Sequence, residues 1–303
     1  LFRSLTTDMV SQLTNTQTAA LRTAQLNALS SDQLTALTTS QIRALGTAQV
    51  AGLVATSLSK LGDEQVGALT AAQVAAITTS NLPQMKTQQV QALSTAAVAG
   101  LTTQQVAALT TSQIAAITTA QMKVLSTSQV VAFTTEQSSK LSAEQLAALN
   151  VTQLNAMQTI DVAALSTSAI AGLPASQFKN FTPTQIRALT TEQGAALTPE
   201  QLSGISTAQL AEMSLSNFVK LSGDQLGALS TTNIASLGTY QLGFMTTDQI
   251  PTLSTAQIRS LTTSQITALR SDQLNVLTAD QIGAISIGQK AALDAAGKTL
   301  PAV

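Results

Sequence analysis

The sequence predicts an all-α fold, a solenoid of very short helices with one helix per octad. Three observations carry this expectation. The chain is an octad repeat without insertion or deletion, each octad contains a helix-start signal, and the charges follow the polarity of a helix. The frame runs from Thr6 to Leu293, which is 36 consecutive octads of the form [ST]-T-x-Q-[IVL]-x-A-L. Position 8 is Leu, Ile, Met or Phe in all 36, position 5 is apolar in 32, and position 4 is Gln in 28. The Ser/Thr-rich stretches therefore stay in phase with the apolar positions and are not linkers. Such self-similarity at a fixed period is the signature of a repeat architecture. The expected organisation is a lead-in at 1–5, a single repeat domain at 6–293 and a tail at 294–303.

The start of each helix is written by positions 1 and 4. In TTQQVAAL, Thr102 can accept from the backbone N–H of Gln105, while the Gln105 side chain can reach back to the N–H of Thr102. Together they form a capping box. Val106 then stands at N4 and the apolar residue before the cap at N′, the two members of a hydrophobic staple. Leu109 plays the N′ part for the octad that follows.

The interior and end of each helix are marked by charge. Eleven of the 15 acids stand at position 3, early in the helix, and eight of the 14 bases stand at positions 6 or 7, late in it. That is the order a helix dipole favours. Pro183 and Pro199 fall at position 2, the N1 site where proline fits. The expected helix is about six or seven residues, roughly 10 Å at 1.5 Å per residue. Helices this short are marginal alone, so positions 5 and 8 must be buried against neighbouring repeats, as in a solenoid. The small residue common at position 7 would let neighbouring turns approach.

Two features oppose this reading. Pro83 and Pro251 fall at position 6, inside the expected helix, where proline removes a hydrogen bond and clashes. Threonine is also a mediocre helix former. The rival is a β-solenoid with rows of Thr. Strands require alternation of apolar and polar residues, and apolar positions 5 and 8 do not alternate.

Composition narrows function further. Charged residues are 10% of the chain, aromatics 2%, and His and Cys are absent. Disulfides and thiolate metal sites are excluded, and the commonest general base is missing. Acids at equivalent helix starts read as dipole partners, position-1 hydroxyls as caps, Tyr240 as a lone packing or surface residue, and Phe178 with Phe181 as core. No phosphate loop or metal-ligand spacing is present. The expectation is a non-enzyme with no catalytic, cofactor-binding or metal site and no cofactor. A formal charge of −1 provides no basic footprint for nucleic acid, and no apolar run approaches the ~20 residues of a membrane helix.

A longer period lies above the octad. Lys60, Lys140 and Lys220 recur ten octads apart, as do Glu64, Glu144 and Asp224. Duplication of a ten-octad block explains this. So does a whole number of superhelical turns per ten octads, which would place the six residues on one face as a candidate lateral contact.

The octads TTQQVAAL, TTSQIAAI, STAQIRSL and TTEQGAAL resemble the Thr/Gln/Ala/Leu-rich tandem octapeptide arrays of large bacterial surface or secreted, adhesin-like proteins. The resemblance covers residues 6–293, with Thr102, Gln105, Val106 and Leu109 as one instance of its defining positions. It implies an exported bacterial protein forming a stalk, sheath, layer or filament. A local stretch, LTPEQLSGI at 197–205, resembles the opening of a TAL-effector repeat. The base-reading loop and basic charge of that family are missing here, so the shared element is the helix start. The leading expectation is a rigid rod on the cell exterior whose main partner is itself, with the apolar LFRSL end stacking on other copies. Other cell-surface components are further expected partners. An adhesin arm for cells or polysaccharide is the second reading, and an ice-binding Thr array is the third.

Overall fold

Thr102 sits at φ −74°, ψ 159°, and its hydroxyl accepts from the N–H of Gln105 at 3.2 Å. Its own N–H donates to Gln105 Oε1 at 2.8 Å. The capping box written in the octad is thus complete, and the helix Thr103–Ala108 follows. In the computed structural model, which describes residues 4–301, short helices recur from Thr7–Ser11 to Ile287–Ala295, most of them opened by such a box, and there is no strand among the described residues. The β-solenoid alternative is overturned, and the protein is an all-α solenoid. Where position 1 is Gly or a basic residue, as at Gly46 or Lys86, only the returning Gln contact is made.

The helices are shorter than expected. Apart from the nine-residue Ile287–Ala295, they run four to six residues. The cause is a tightened last turn. Leu109 N–H donates to Val106 O at 3.2 Å, and Leu109 itself is already extended, at φ −60°, ψ 142°. The chain therefore leaves one helix and caps the next without a left-handed residue. The one positive φ among the described residues is Gly297, at 67°. Pro83 and Pro251 each replace an α-helix by a 3-10 turn, Leu82–Gln84 and Ile250–Thr252. The 3-10 turn does not need the missing N–H, and the frame survives. Leu82, Met85, Ile250 and Leu253 stay buried. Pro183 and Pro199 begin their helices, as expected.

The turns are joined by the same glutamines. Gln105 Nε2 donates to Val74 O at 2.8 Å and Ile77 O at 2.6 Å. These carbonyls lie at and just past the end of the helix Ala71–Ala75, where the helical ladder runs out of donors. One side chain therefore starts its own helix and finishes another, three and a half octads back.

The chain divides into two units, Leu1–Met157 and Gln158–Val303, between two octads. Each repeats the contact internally. Gln137 reaches Val106 and Leu109 in the first unit, and Gln273 reaches Leu242 and Met245 in the second. Helices three octads apart pack together, for example Thr103–Ala108 on Thr127–Val131 and Pro183–Arg187 on Thr207–Glu212.

Positions 5 and 8 form the core, with Val106 1% and Leu109 4% exposed. Phe178 and Phe181 pack edge to face inside it, centroids 5.5 Å apart. Position 7 is small where turns crowd: a Cβ on Gly100 would stand 2.7 Å from that of Ala71. Ser138 breaks the rule at position 5. It is fully buried, and its hydroxyl has no hydrogen-bond partner. An unmet buried polar group costs about 1–3 kcal/mol. Ser138→Val restores the octad phrase and is expected to stabilise the first unit by about 1 kcal/mol, read as a rise in its thermal midpoint.

The tail closes the last helix. Lys298 N–H donates to Leu293 O and Gly297 N–H to Asp294 O, a Schellman motif that needs the left-handed glycine. The Lys298 ammonium then donates to Thr267 O at 2.6 Å and to Leu269 O. It takes carbonyls of the kind that a position-4 glutamine takes elsewhere. Of the apolar lead-in, residues 1–3 lie outside the described residues.

Candidate functional site

The octad places position 3 on the first turn of each helix, facing away from the core, and position 7 at its end, where a long side chain reaches solvent. Lys60, Glu64, Lys140, Glu144, Lys220 and Asp224 are accordingly all exposed. None forms an ion pair among the described residues, where the two pairs are Arg187 with Glu212 and Arg270 with Asp272. In the first unit, the step from Lys60 to Lys140 is ten octads.

The long period does have a local expression. The octads that carry these lysines at position 7 have four-residue helices, Ala55–Leu58, Thr135–Ser138 and Leu215–Phe218. In each, the lysine N–H donates to the carbonyl of the position-4 residue, Ser57, Gln137 or Asn217. Lys60 lines a cavity of about 440 Å³ with Asn27, Ala28, Leu29 and Ser30. Asn27 there performs a repair. The octad one turn on has Ser57 in place of Gln, and the Asn27 side chain accepts from Val54 N–H at 3.1 Å instead.

Two of the position-3 acids are held by the groups at their helix start. The Ser142 hydroxyl and the backbone N–H of Glu144 hold the Glu144 carboxyl below its ordinary range. The backbone N–H of Glu192, then the Thr190 hydroxyl, do the same for Glu192. Late bases occupy the last turn at Arg43, Lys123, Arg187 and Arg259.

The buried glutamine is the residue whose role the sequence showed only by half. Its capping carbonyl oxygen is legible from spacing. Its cross-turn amide is not, although three octads with Asn at position 4 share the geometry. Asn81, Asn217 and Asn233 keep the same cross-turn contact, to Leu53, Leu189 and Ile205. One methylene shorter, Asn217 and Asn233 do not return to their N-cap N–H groups. The Asn217 carbonyl oxygen is left buried without a partner.

At a second place the sequence reading of Tyr240 as a lone packing or surface residue missed its partner. Tyr240 and Phe244 lie on the helix Thr239–Phe244 with ring centroids 4.6 Å apart. They line a surface cavity of about 410 Å³ with Thr239, Gly243, Ala268 and Arg270. The readable signal was one octad, GTYQLGFM, with aromatics at positions 3 and 7, which are elsewhere mostly polar and small.

No helix among the described residues is long and apolar enough to cross a membrane. No curated protein matches the chain. A family model, the ALTTAQ repeat, matches residues 10–47, 42–79, 82–119, 154–198, 218–255 and 252–279.

Proposed function

Since the chain belongs to the ALTTAQ repeat family, we propose that it is a non-enzymatic structural protein of the bacterial cell exterior. It serves as a stalk or as the subunit of a surface filament, sheath or layer, and it associates with copies of itself. The observation that supports this reading is the buried glutamine ladder. In the octads that carry it, the recurrent polar side chains are spent on starting helices and joining turns, as at Thr102 and Gln105. What is left for the outside is a regular scaffold of exposed hydroxyls and amides, such as Thr39, Ser40 and Gln104, with a sparse set of solvated charges. Each repeat needs only its neighbours, which suits an array whose task is to hold a spacing.

The exposed charges at Lys60, Glu64, Lys140, Glu144, Lys220 and Asp224 are the proposed lateral contacts. Reversing the three lysines to Glu is expected to weaken self-association without moving the unfolding midpoint, since all three are solvated. Sedimentation velocity across a wide concentration range, with electron microscopy of the same samples, tests the reading. Assemblies that grow with concentration support it, and a monomer at every concentration overturns self-association. Protease shaving of intact cells tests the location. The ice-binding reading draws no support from helices whose cap hydroxyls are already engaged.

A further inference from the structure

We propose that Tyr240, Phe244, Gly243 and Arg270 form a binding subsite for a neutral sugar ring. Three departures from the octad that the fold does not require meet here. Tyr240 occupies position 3 and Phe244 position 7, and they are 65% and 47% exposed. The aromatics at 133, 178, 181 and 218 are all buried in the core. Leaving two aromatic faces in water forgoes the burial that stabilises those four. The rings are tilted at 57° to one another, so they present an angled apolar face rather than a stack closed on itself.

Gly243, at the variable position 6, lies inside the same helix. No neighbour would meet a Cβ there within 4 Å, so close packing does not demand glycine. An interior glycine weakens a helix relative to alanine. Its effect is to keep the cavity open. The third departure is Arg270, at position 1, where a hydroxyl cap is expected. The cap is replaced by Asp272, whose Oδ1 accepts from Gln273 N–H at 3.0 Å. Arg270 itself makes a two-pronged pair with Asp272, Nε to Oδ1 and Nη2 to Oδ2 both at 3.0 Å. It also donates to Gly243 O across the turn, which fixes the guanidinium beside the cavity.

These groups select the ligand by chemistry. The cavity, about 410 Å³, lies within the range of small-molecule sites. Arg270 and Asp272 cancel each other, so neither an anion nor a cation gains from the site by charge. An aromatic pair beside a guanidinium disfavours quaternary ammonium groups, which need an uncompensated aromatic cage. A pyranose has an apolar C–H face to lay on the rings and rim hydroxyls that can accept from Arg270 and pair with the Thr239 hydroxyl, both of which line the cavity. The site thus goes beyond the structural role and would tie the array to a polysaccharide.

Tyr240 is the sole tyrosine and there is no tryptophan, so tyrosine emission reports this site alone. The intact chain is titrated with neutral glucan, mannan, galactan and chitin oligosaccharides. The expected result is a saturable change in emission with at least one of them. Gly243→Val and Phe244→Ala should each weaken it at least tenfold, with the thermal midpoint held or raised for Gly243→Val. Tyr240→Ala should lose retention on the matching insoluble polysaccharide. Absence of a saturable change with every sugar overturns the proposal. So does an undiminished response in Gly243→Val, or emission that shifts with protein concentration alone, which would assign the face to a second copy.

Discussion

Replacing Gln105 is expected to destabilise its turn in the order Glu, then Ala, then Asn. Gln105 is 2% exposed. Its Oε1 accepts from Thr102 N–H, and its Nε2 donates to Val74 O and Ile77 O. Gln105→Ala leaves the Thr102 N–H and the Ile77 carbonyl without these partners, and Val74 O keeps only its bond from Ile77 N–H. Each group left unmet costs about 1–3 kcal/mol before relaxation. A loss of about 3–4 kcal/mol is expected.

Gln105→Glu is isosteric and should be worse. It turns the donor into an oxygen that faces two carbonyl oxygens, and the charge must be buried or the group neutralised. A cost of about 4–5 kcal/mol follows. Gln105→Asn should lose the return to the N-cap and keep the carbonyl contact, as Asn217 and Asn233 do, for about 1–2 kcal/mol. Proteins open locally as well as globally, and a repeat array has only neighbour contacts to hold each turn. Native-state hydrogen exchange at the amides of 70–77 and 102–109 is therefore the measurement. Equal effects of Ala and Asn would show that the cross-turn donation contributes nothing.

The second large effect concerns phase. Deleting Thr110 alone should disrupt the first unit, whereas deleting all of 110–117 should be tolerated. Four glutamines, Gln113, Gln121, Gln129 and Gln137, reach back across that point to Met85, Leu93, Leu101 and Leu109. A one-residue deletion moves every one of these donors off its carbonyl and turns positions 5 and 8 off the core. Four lost contacts at about 1–3 kcal/mol each make a penalty on the order of 5–10 kcal/mol, comparable to the stability of a whole domain. Deletion of the full octad pairs Gln121 with Met85, in the place that Gln113 held, and the ladder continues. Circular dichroism and thermal unfolding of the two deletions distinguish them. Equal loss of helix in both would contradict a ladder that counts octads.

The helix starts were legible because their physics is local. A hydroxyl at position 1 and an amide at position 4 are about one helical turn apart, so the capping box, the staple and the placement of acids and bases can be read within a single octad. The proline exceptions were legible as tension, and the structure resolved them by tightening Leu82–Gln84 and Ile250–Thr252 into 3-10 turns. Of the candidate sites, the sequence showed that Lys60, Lys140 and Lys220 are equivalent by position. It did not show the convergence of Arg270 with Gly243, which lies more than three octads earlier in the chain.

By itself, then, the sequence determined that this chain is an uninterrupted array of short, capped helices with positions 5 and 8 inward. Only the tertiary structure decided how far each turn reaches. The step of three and a half octads depends on the crossing of packed helices and on the length of a buried glutamine, neither of which leaves a mark within one octad. The same reach makes position 4 both the first bond of one helix and the last bond of another.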